Sequence, residues 1–205
     1  MKLHWSPKSP YVRKVMVFLH EIGLTDRVDT VRSVVAVTEP NAAVQRDNPL
    51  SKIPTLILDD GTILYDSRVI CDYLDTLHGA PKLCPTQGPE RWTVLRRQAL
   101  ADGLLDLLLF WRHEVQRPAE HRSAAHLAAY SNKVFAALNV LEAEASELGR
   151  TAFSVAHIAI GCTLSFADFR HPDLGWRSGR SELSAWHRGF EARPSVVATA
   201  IRDDS

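Results

Sequence analysis

Apolar positions in this chain fall into two regimes. Up to about residue 78 they form short runs broken by turns, and beyond residue 89 they recur at helical spacing almost without interruption. In the first regime, Lys2 to Trp5 reads as a short strand and Ser6-Pro7-Lys8-Ser9-Pro10 as a loop. Val12, Val15, Met16, Leu19 and Ile22 then share one helix face, with Arg13, Lys14 and Glu21 off it, and Gly23 ends the helix. Residues 28–35 read as a second strand, leaving through Glu39-Pro40, and residues 41–46 as a short, loose helix. Residues 55–58, the tight turn Asp59-Asp60-Gly61 and residues 62–65 read as a hairpin. Asp66-Ser67 opens a helix whose apolar face is Ile70, Tyr73, Leu74 and Leu77, with Gly79 as its end and Pro81 just beyond.

The segment from Gly79 to Pro89 holds three prolines and two glycines and reads as a linker. In the second regime, long helices are predicted over 91–114, 123–148 and 154–170, the last very apolar and placed at the buried centre, with shorter ones over 182–188 and 195–202. The element order β-α-β-α-β-β-α before the linker matches an α/β, thioredoxin-like N-terminal domain, a mixed sheet with helices on both faces. The expected division is therefore 1–78 for that domain, 79–88 for the linker and 89–205 for an all-α C-terminal helical domain.

Composition narrows the function classes. A hydrophobic content of 45% over 205 residues supports a real core and argues against disorder. The formal net charge is zero, which argues against a nucleic-acid partner. The Arg-enriched segment 170–193 also holds Asp173, Glu182 and Glu191 and reads as a solvated helix surface. No apolar run has the length of a signal peptide or a membrane span, so the expectation is a soluble, cytoplasmic protein without a membrane partner. Cys71, Cys84 and Cys162 form no C-x-x-C or zinc-like spacing, and Cys71 and Cys162 read as core thiols in a reducing compartment. The nine histidines show no H-x-x-x-H or H-E-x-x-H spacing, so no metal site is expected.

The residues with chemical promise cluster between Asn48 and Asp75. A cis bond between Ile53 and Pro54 would bend the chain at a strand start and leave the Ile53 N–H and C=O open to a short peptide. The helix start at Asp66-Ser67 presents free N–H groups and a partial positive charge, which suits a carboxylate. Each feature alone reads as a strand start or a helix cap. Together they favour a site for a small peptide-like acid. Ser9, followed by Pro10, reads both as a helix N-cap and as a hydroxyl able to donate to a ligand while accepting from a helix N–H. Ser6 also precedes a proline and is the second choice. Asp102 and Asp106 continue a stripe with Leu95 and Ala99, with His113 further along it, and carboxylates on an apolar stripe need a partner.

These segments carry a resemblance. KIPTLILDDGTILYDSRVICDYLD resembles the glutathione-site half of the cytosolic glutathione transferases, with their [KR]-[VI]-P-x-L strand, hairpin and acidic-Ser helix start. SPKSPYVRKVMVFLHEIG resembles the family's first loop and helix, and WHRGFEARPSVVAT its last helix. The likeness spans nearly the whole chain and is greatest to small bacterial, YibF-like, serine-type members. It implies that Ser9, in the context Ser9-Pro10-Tyr11, is the active serine that stabilises the glutathione thiolate. It implies that Ile53, before the cis Pro54, pairs its backbone with the cysteinyl unit, and that Asp66 and Ser67 hold the γ-glutamyl end. Lys52 either reaches the glycyl carboxylate or is an exposed lysine. Asp102 either forms a buried salt bridge in the helical domain or reaches the glutamyl ammonium across a homodimer interface. Arg112 and Arg117 are candidates for lining the electrophile pocket. One departure from the family is Ser154-Val155-Ala156-His157, where a capping box usually ends in Asp, so the reciprocal bond of the box is expected to be missing.

The resemblance implies glutathione as co-substrate and a small, hydrophobic electrophile onto which its thiolate is conjugated or exchanged. The alternative is a non-catalytic ligand-binding or protein-interaction module on the same fold. Retention of Ser9, Asp66 and Ser67 together favours the enzyme. A glutaredoxin-like oxidoreductase needs a cysteine near the first helix, and the loop from Ser6 to Pro10 has none. A zeta-type isomerase lacks its serine-cysteine-rich first loop here.

Overall fold

In the computed structural model, which describes residues 1–203, β1 (Lys2–Trp5) is an inner strand of a four-stranded sheet. It pairs in parallel with β2 (Asp29–Arg32) and antiparallel with β3 (Thr55–Ile57), and β4 (Ile63–Leu64) pairs antiparallel with β3, for the order β2-β1-β3-β4. Leu3 and Leu56 are register partners on the two inner strands, and both are fully buried. β2 is shorter than the span 28–35 predicts. It is an edge strand with one partner, its four residues are exposed, and Val34 beyond it is exposed as well.

Three helices follow the strands of this unit: α1 (Pro10–Glu21), α2 (Ala42–Asp47) and α3 (Ser67–Asp75). α1 buries Val12, Val15, Phe18 and Leu19, but also Arg13 and Lys14, which the helical pattern places off the apolar face. For Arg13 the reason lies almost two hundred residues away. The short C-terminal helix α8 (Pro194–Ala198) packs on α1, and the Arg13 guanidinium donates to the carbonyls of Thr199 (3.0 Å) and Val196 (3.3 Å). The Ser195 hydroxyl donates to Glu21, and Lys8 pairs with Asp203 at 2.8 Å. The Arg13 side chain thus satisfies orphan carbonyls of a helix end.

α3 stops at Asp75, short of Gly79. The Asp75 carboxylate accepts from the N–H groups of Leu83 (3.2 Å) and Cys84 (2.8 Å) and from His78 Nε2 (2.8 Å), while Lys82 donates to the carbonyls of Asp75 and His78. The proline-rich segment is therefore turned back and tied to α3. Accordingly, the chain divides into one unit of Met1–Thr86 with the segment from Pro194, and a second of Gln87–Arg193. This differs from the expected 1–78 and 89–205 by keeping most of the linker and α8 with the sheet.

The second unit is helical: α4 (Pro89–Gln116), α5 (Ala124–Leu148), α6 (Val155–Arg170) and α7 (Ser181–Glu191). α6 is its core, buried without a break from Val155 to Ala167 and packed on α4 and α7. Gly161 is required there, because a Cβ at that position would lie 2.2 Å from the Phe190 ring. The buried face of α4 runs through Arg97, Gln98, Ala101, Asp102, Leu104, Leu105 and Leu108, whereas Ala99 and Asp106 are exposed, so the stripe drawn through Leu95 and Ala99 is not the core face. Arg97 is held by Glu144 (2.7 Å) and Glu147 (3.1 Å) of α5. The three cysteines are buried and form no disulfide among the described residues. Among the described residues no helix is long and apolar enough to cross a membrane.

The capping box at Ser154 is not lost. The Ser154 N–H donates to His157 Nδ1 at 3.1 Å, so the imidazole supplies the acceptor that a carboxylate supplies elsewhere. His157 Nε2 faces the Leu148 carbonyl at 2.9 Å, which fixes the tautomer with the proton on Nε2. Burial holds the His157 pKa below the ordinary histidine value, with nearby Arg97 and Arg193 acting in the same direction and the Leu148 bond opposing.

Candidate functional site

The register brings three loops to one end of the sheet. His4 pairs with Thr55, so the loop after Trp5 lies beside the start of β3. Leu56 pairs with Leu64, so the end of β4 also lies beside the start of β3. The loop 6–9, the Ile53–Pro54 dipeptide and the Asp66–Ser67 helix start therefore share one edge. α1 and α3 both open there, so two helix N-termini with their partial positive charge converge on it.

Each element is built locally. Ser9 is the N-cap of α1 with Pro10 at the first helical position, and its Oγ accepts from the Val12 N–H at 3.3 Å. Its hydroxyl donates to no described residue, so the proton remains available. Ser6 is buried, and its Oγ takes the Lys8 N–H at 3.4 Å. Ile53 is buried against Val12 and Val44, with Trp5 and Met16 packed on the same cluster. The Ile53–Pro54 bond is cis. Neither the N–H nor the C=O of Ile53 makes a backbone–backbone hydrogen bond among the described residues.

Asp66 is the N-cap of α3, with Oδ1 accepting from the Arg68 N–H at 2.9 Å, and its side chain is exposed. Ser67 is only 2% exposed, yet its hydroxyl has no hydrogen-bond partner among the described residues. The buried side-chain atoms without a partner among the described residues are His78 Nδ1 and Arg180 Nε, so the Ser67 hydroxyl, which is not one of them, keeps its oxygen open at this edge and can meet a ligand there. The edge thus offers an exposed carboxylate, two serine hydroxyls, a main-chain donor and acceptor, and two helix N-termini. That set fits a small zwitterionic peptide: acid for its ammonium, hydroxyl and helix N–H for its carboxylate, strand edge for its amide.

Residues 8–77 match the family model described as "Glutathione S-transferase, N-terminal domain", and residues 124–189 match "Glutathione S-transferase, C-terminal domain". The chain is also 32% identical over 201 residues to the uncharacterized GST-like protein YibF of Escherichia coli, spanning 97% of this chain and 98% of that one. The chain belongs to the glutathione transferase family. A crystal structure of a glutathione transferase family member from Pseudomonas fluorescens Pf-5 with bound glutathione superposes with a TM-score of 0.95 at 46% identity, over 98% of this chain and 99% of that one. A glutathione S-transferase from Methylobacillus flagellatus with bound GSH superposes at 0.87 and 35% identity, over 98% and 99%.

Other transferase-site candidates are distributed differently. Lys52 is exposed beside Ile53. Asp102 is 3% exposed within the buried face of α4 in the helical unit. Arg117 caps the end of α4, is exposed, and lies 3.5 Å from Glu114; Arg112 is half-buried one turn earlier. A groove of about 460 Å³ runs along α4 and α5 with Leu104, Leu107, Ala137 and Val140 in its walls, and neither arginine lines it. Among the described residues no group of His, Cys, Asp and Glu is arranged to hold a metal ion.

Proposed function

We propose that the chain is a catalytic glutathione S-transferase that uses glutathione as co-substrate and conjugates or exchanges its thiolate onto a small hydrophobic electrophile. The carrying observation is the Ser9 hydroxyl, half-buried at the N-terminus of α1 with its proton uncommitted, at the same sheet end as the unpaired Ile53 backbone and the Ser67 hydroxyl. A free thiol has a pKa near ~8.5, so little of it is thiolate at neutral pH. A drop of about two units corresponds to roughly 2.7 kcal/mol of preferential thiolate binding. A charge-assisted hydroxyl bond together with a helix N-terminus supplies stabilisation of that order.

In this reading Ser9 donates to the sulfur, and Ile53 before Pro54 pairs with the cysteinyl amide. Asp66 takes the glutamyl ammonium, Ser67 takes the glutamyl carboxylate, and Lys52 reaches the glycyl carboxylate. The bound relatives, one with glutathione and another with S-(propanoic acid)-glutathione, support the ligand class. Two copies associate, with the apolar α4–α5 groove supporting a homodimer, and in this reading Asp102 acts toward the glutamyl ammonium from the partner. The protein works in the cytoplasm.

Calorimetric titration with glutathione, paired with the ultraviolet thiolate absorbance of the bound ligand against pH, tests the reading. Binding with a thiol pKa well below that of free glutathione is expected. Absence of binding returns the non-catalytic module as the function.

A further inference from the structure

The loop between α2 and β3 carries more order than its exposure requires. It begins at Asn48, 1% exposed, and ends at Thr55, which is fully buried. Both side chains converge on one atom. The Lys52 carbonyl accepts from Asn48 Nδ2 at 3.2 Å and from the Thr55 hydroxyl at 2.8 Å, and Asn48 Nδ2 also meets Thr55 Oγ1 at 3.0 Å. Asn48 further accepts the Leu50 N–H at Oδ1 (3.0 Å) and the Ser51 N–H at its own carbonyl (2.8 Å). Ser51 sits at φ 49°, in the left-handed region that a non-glycine residue occupies only when its surroundings demand it. Its hydroxyl accepts the Asn41 N–H at 2.9 Å. The far side of the loop is fastened too: Asp47, next to Asn48, meets His4 Nε2 at 2.8 Å, and His4 Nδ1 meets Ser33 Oγ at 2.7 Å.

The Lys52 carbonyl belongs to the same peptide group as the Ile53 N–H. In a trans peptide the two point in opposite directions. A carbonyl pulled inward by two buried donors therefore aims the Ile53 N–H outward, at the sheet end where no backbone acceptor meets it among the described residues. We propose that Asn48 and Thr55 are positioning residues that hold the Lys52–Ile53 peptide plane so that the Ile53 N–H is presented, already oriented, to the cysteinyl amide of the ligand. The inference rests on the glutathione reading of this edge. Pre-setting a donor removes an ordering cost from binding, so the effect is on affinity. Neither side chain touches the ligand, and neither acts on the sulfur.

The test uses the full chain and glutathione as the probe. Thr55→Val keeps the shape and removes the hydroxyl, Asn48→Ala removes the second donor, and Thr55→Ser restores the hydroxyl. Thr55→Val is expected to weaken glutathione binding by calorimetry roughly three- to tenfold, as for loss of one orienting hydrogen bond, with Asn48→Ala at the upper end. Thr55→Ser should return to within about twofold of wild type. The pKa of the bound thiol should stay at the wild-type value in every variant, because Ser9 and α1 are untouched. With isoleucine-labelled protein, the Ile53 amide resonance should move on glutathione addition in wild type and move much less in Asn48→Ala. Wild-type affinity in both Thr55→Val and Asn48→Ala, measured below their melting range, overturns the proposal and leaves a purely structural loop. A Thr55→Ser variant as weak as Thr55→Val overturns it as well. A wild-type protein that binds no glutathione overturns the functional reading itself, so the two failures are distinct.

Discussion

Two regions of this molecule gather serines, acids and helix ends, and they use them in opposite ways. In the helical unit, between α6 and α7, Asp168 accepts from Trp176 Nε1 (2.8 Å) and from Nη1 and Nη2 of Arg177. Arg177 Nη2 also donates to His187 Nδ1 at 3.2 Å, so the His187 proton sits on Nε2, 3.2 Å from the Ser165 hydroxyl. Ser165 in turn faces Glu191 and the Gly161 carbonyl. This serine, histidine and acid group resembles a catalytic arrangement in composition. Its imidazole is 1% exposed, and its acceptor nitrogen is spent on Arg177, so it has no base to offer the serine. At the sheet end of the first unit the polar groups are fewer, but the Ser9 proton, the Ser67 hydroxyl and the Ile53 backbone are uncommitted among the described residues. A binding site is marked by hydrogen-bonding capacity that the fold leaves unused, more than by the density of polar residues.

The sharpest way to break this comparison is at Asp66. Asp66→Ala should cost about 1.5–3 kcal/mol of glutathione affinity, as for a charge-assisted hydrogen bond, while turnover at saturation changes less. Unchanged affinity by calorimetry would reduce the start of α3 to a cap. Ser9→Ala comes next. The pKa of bound glutathione should rise by one unit or more, about 1.4 kcal/mol per unit, and turnover near neutral pH should fall roughly tenfold with little change in affinity. Activity should return as pH rises through the thiol pKa, and loss of the cap should lower stability by about 1 kcal/mol. Full activity with an unchanged pH profile would pass the thiolate to Ser6 or to the helix N–H groups.

The other side of the comparison predicts smaller effects of a different kind. Arg177→Met should lower stability by no more than about 1 kcal/mol, because both it and Asp168 are more than a third exposed and their attraction is screened. It should leave glutathione affinity alone, and an affinity loss comparable to that of Asp66→Ala would erase the distinction between the two regions.

The smallest effect is a slope. Burial holds His157, His171 and His187, all in the helical unit, below the ordinary histidine pKa. As pH falls below about 6.5 the unfolded chain takes up protons at these positions before the folded one does. Their stabilising contribution is therefore complete above that value and is lost progressively toward the folded pKa values. His157→Asp, which restores a carboxylate to the capping box, should flatten the fall in melting temperature between pH 7 and 5. An identical slope in the variant would show that His157 does not contribute to it.

Much of this was legible before any coordinates. Ser9-Pro10, Asp66-Ser67, the Asp59-Asp60-Gly61 turn and the helical spacing of α4 to α7 are local signals, because caps, turns and amphipathic faces are set by residues within a turn or two of one another. The sequence alone therefore determined the order of the elements and their starts to within about two residues, that a sheet-bearing half precedes a helical half, and which serines and acids stand at helix N-termini.

What it did not determine depended on distant neighbours. Arg13 looks like a surface residue from its helix alone, and its buried partners come only with the return of α8 onto α1. His157 looks like a broken capping box until the Leu148 carbonyl, nine residues earlier in the chain, fixes its tautomer and leaves Nδ1 as the acceptor. Asn48 and Thr55 look like a turn residue and a strand residue, and their common aim at the Lys52 carbonyl appears only when the loop closes. Local propensity fixes what a backbone segment will do on its own. Which polar groups end up satisfied and which stay open is decided by long-range packing, and that decision is what makes the sheet end a site.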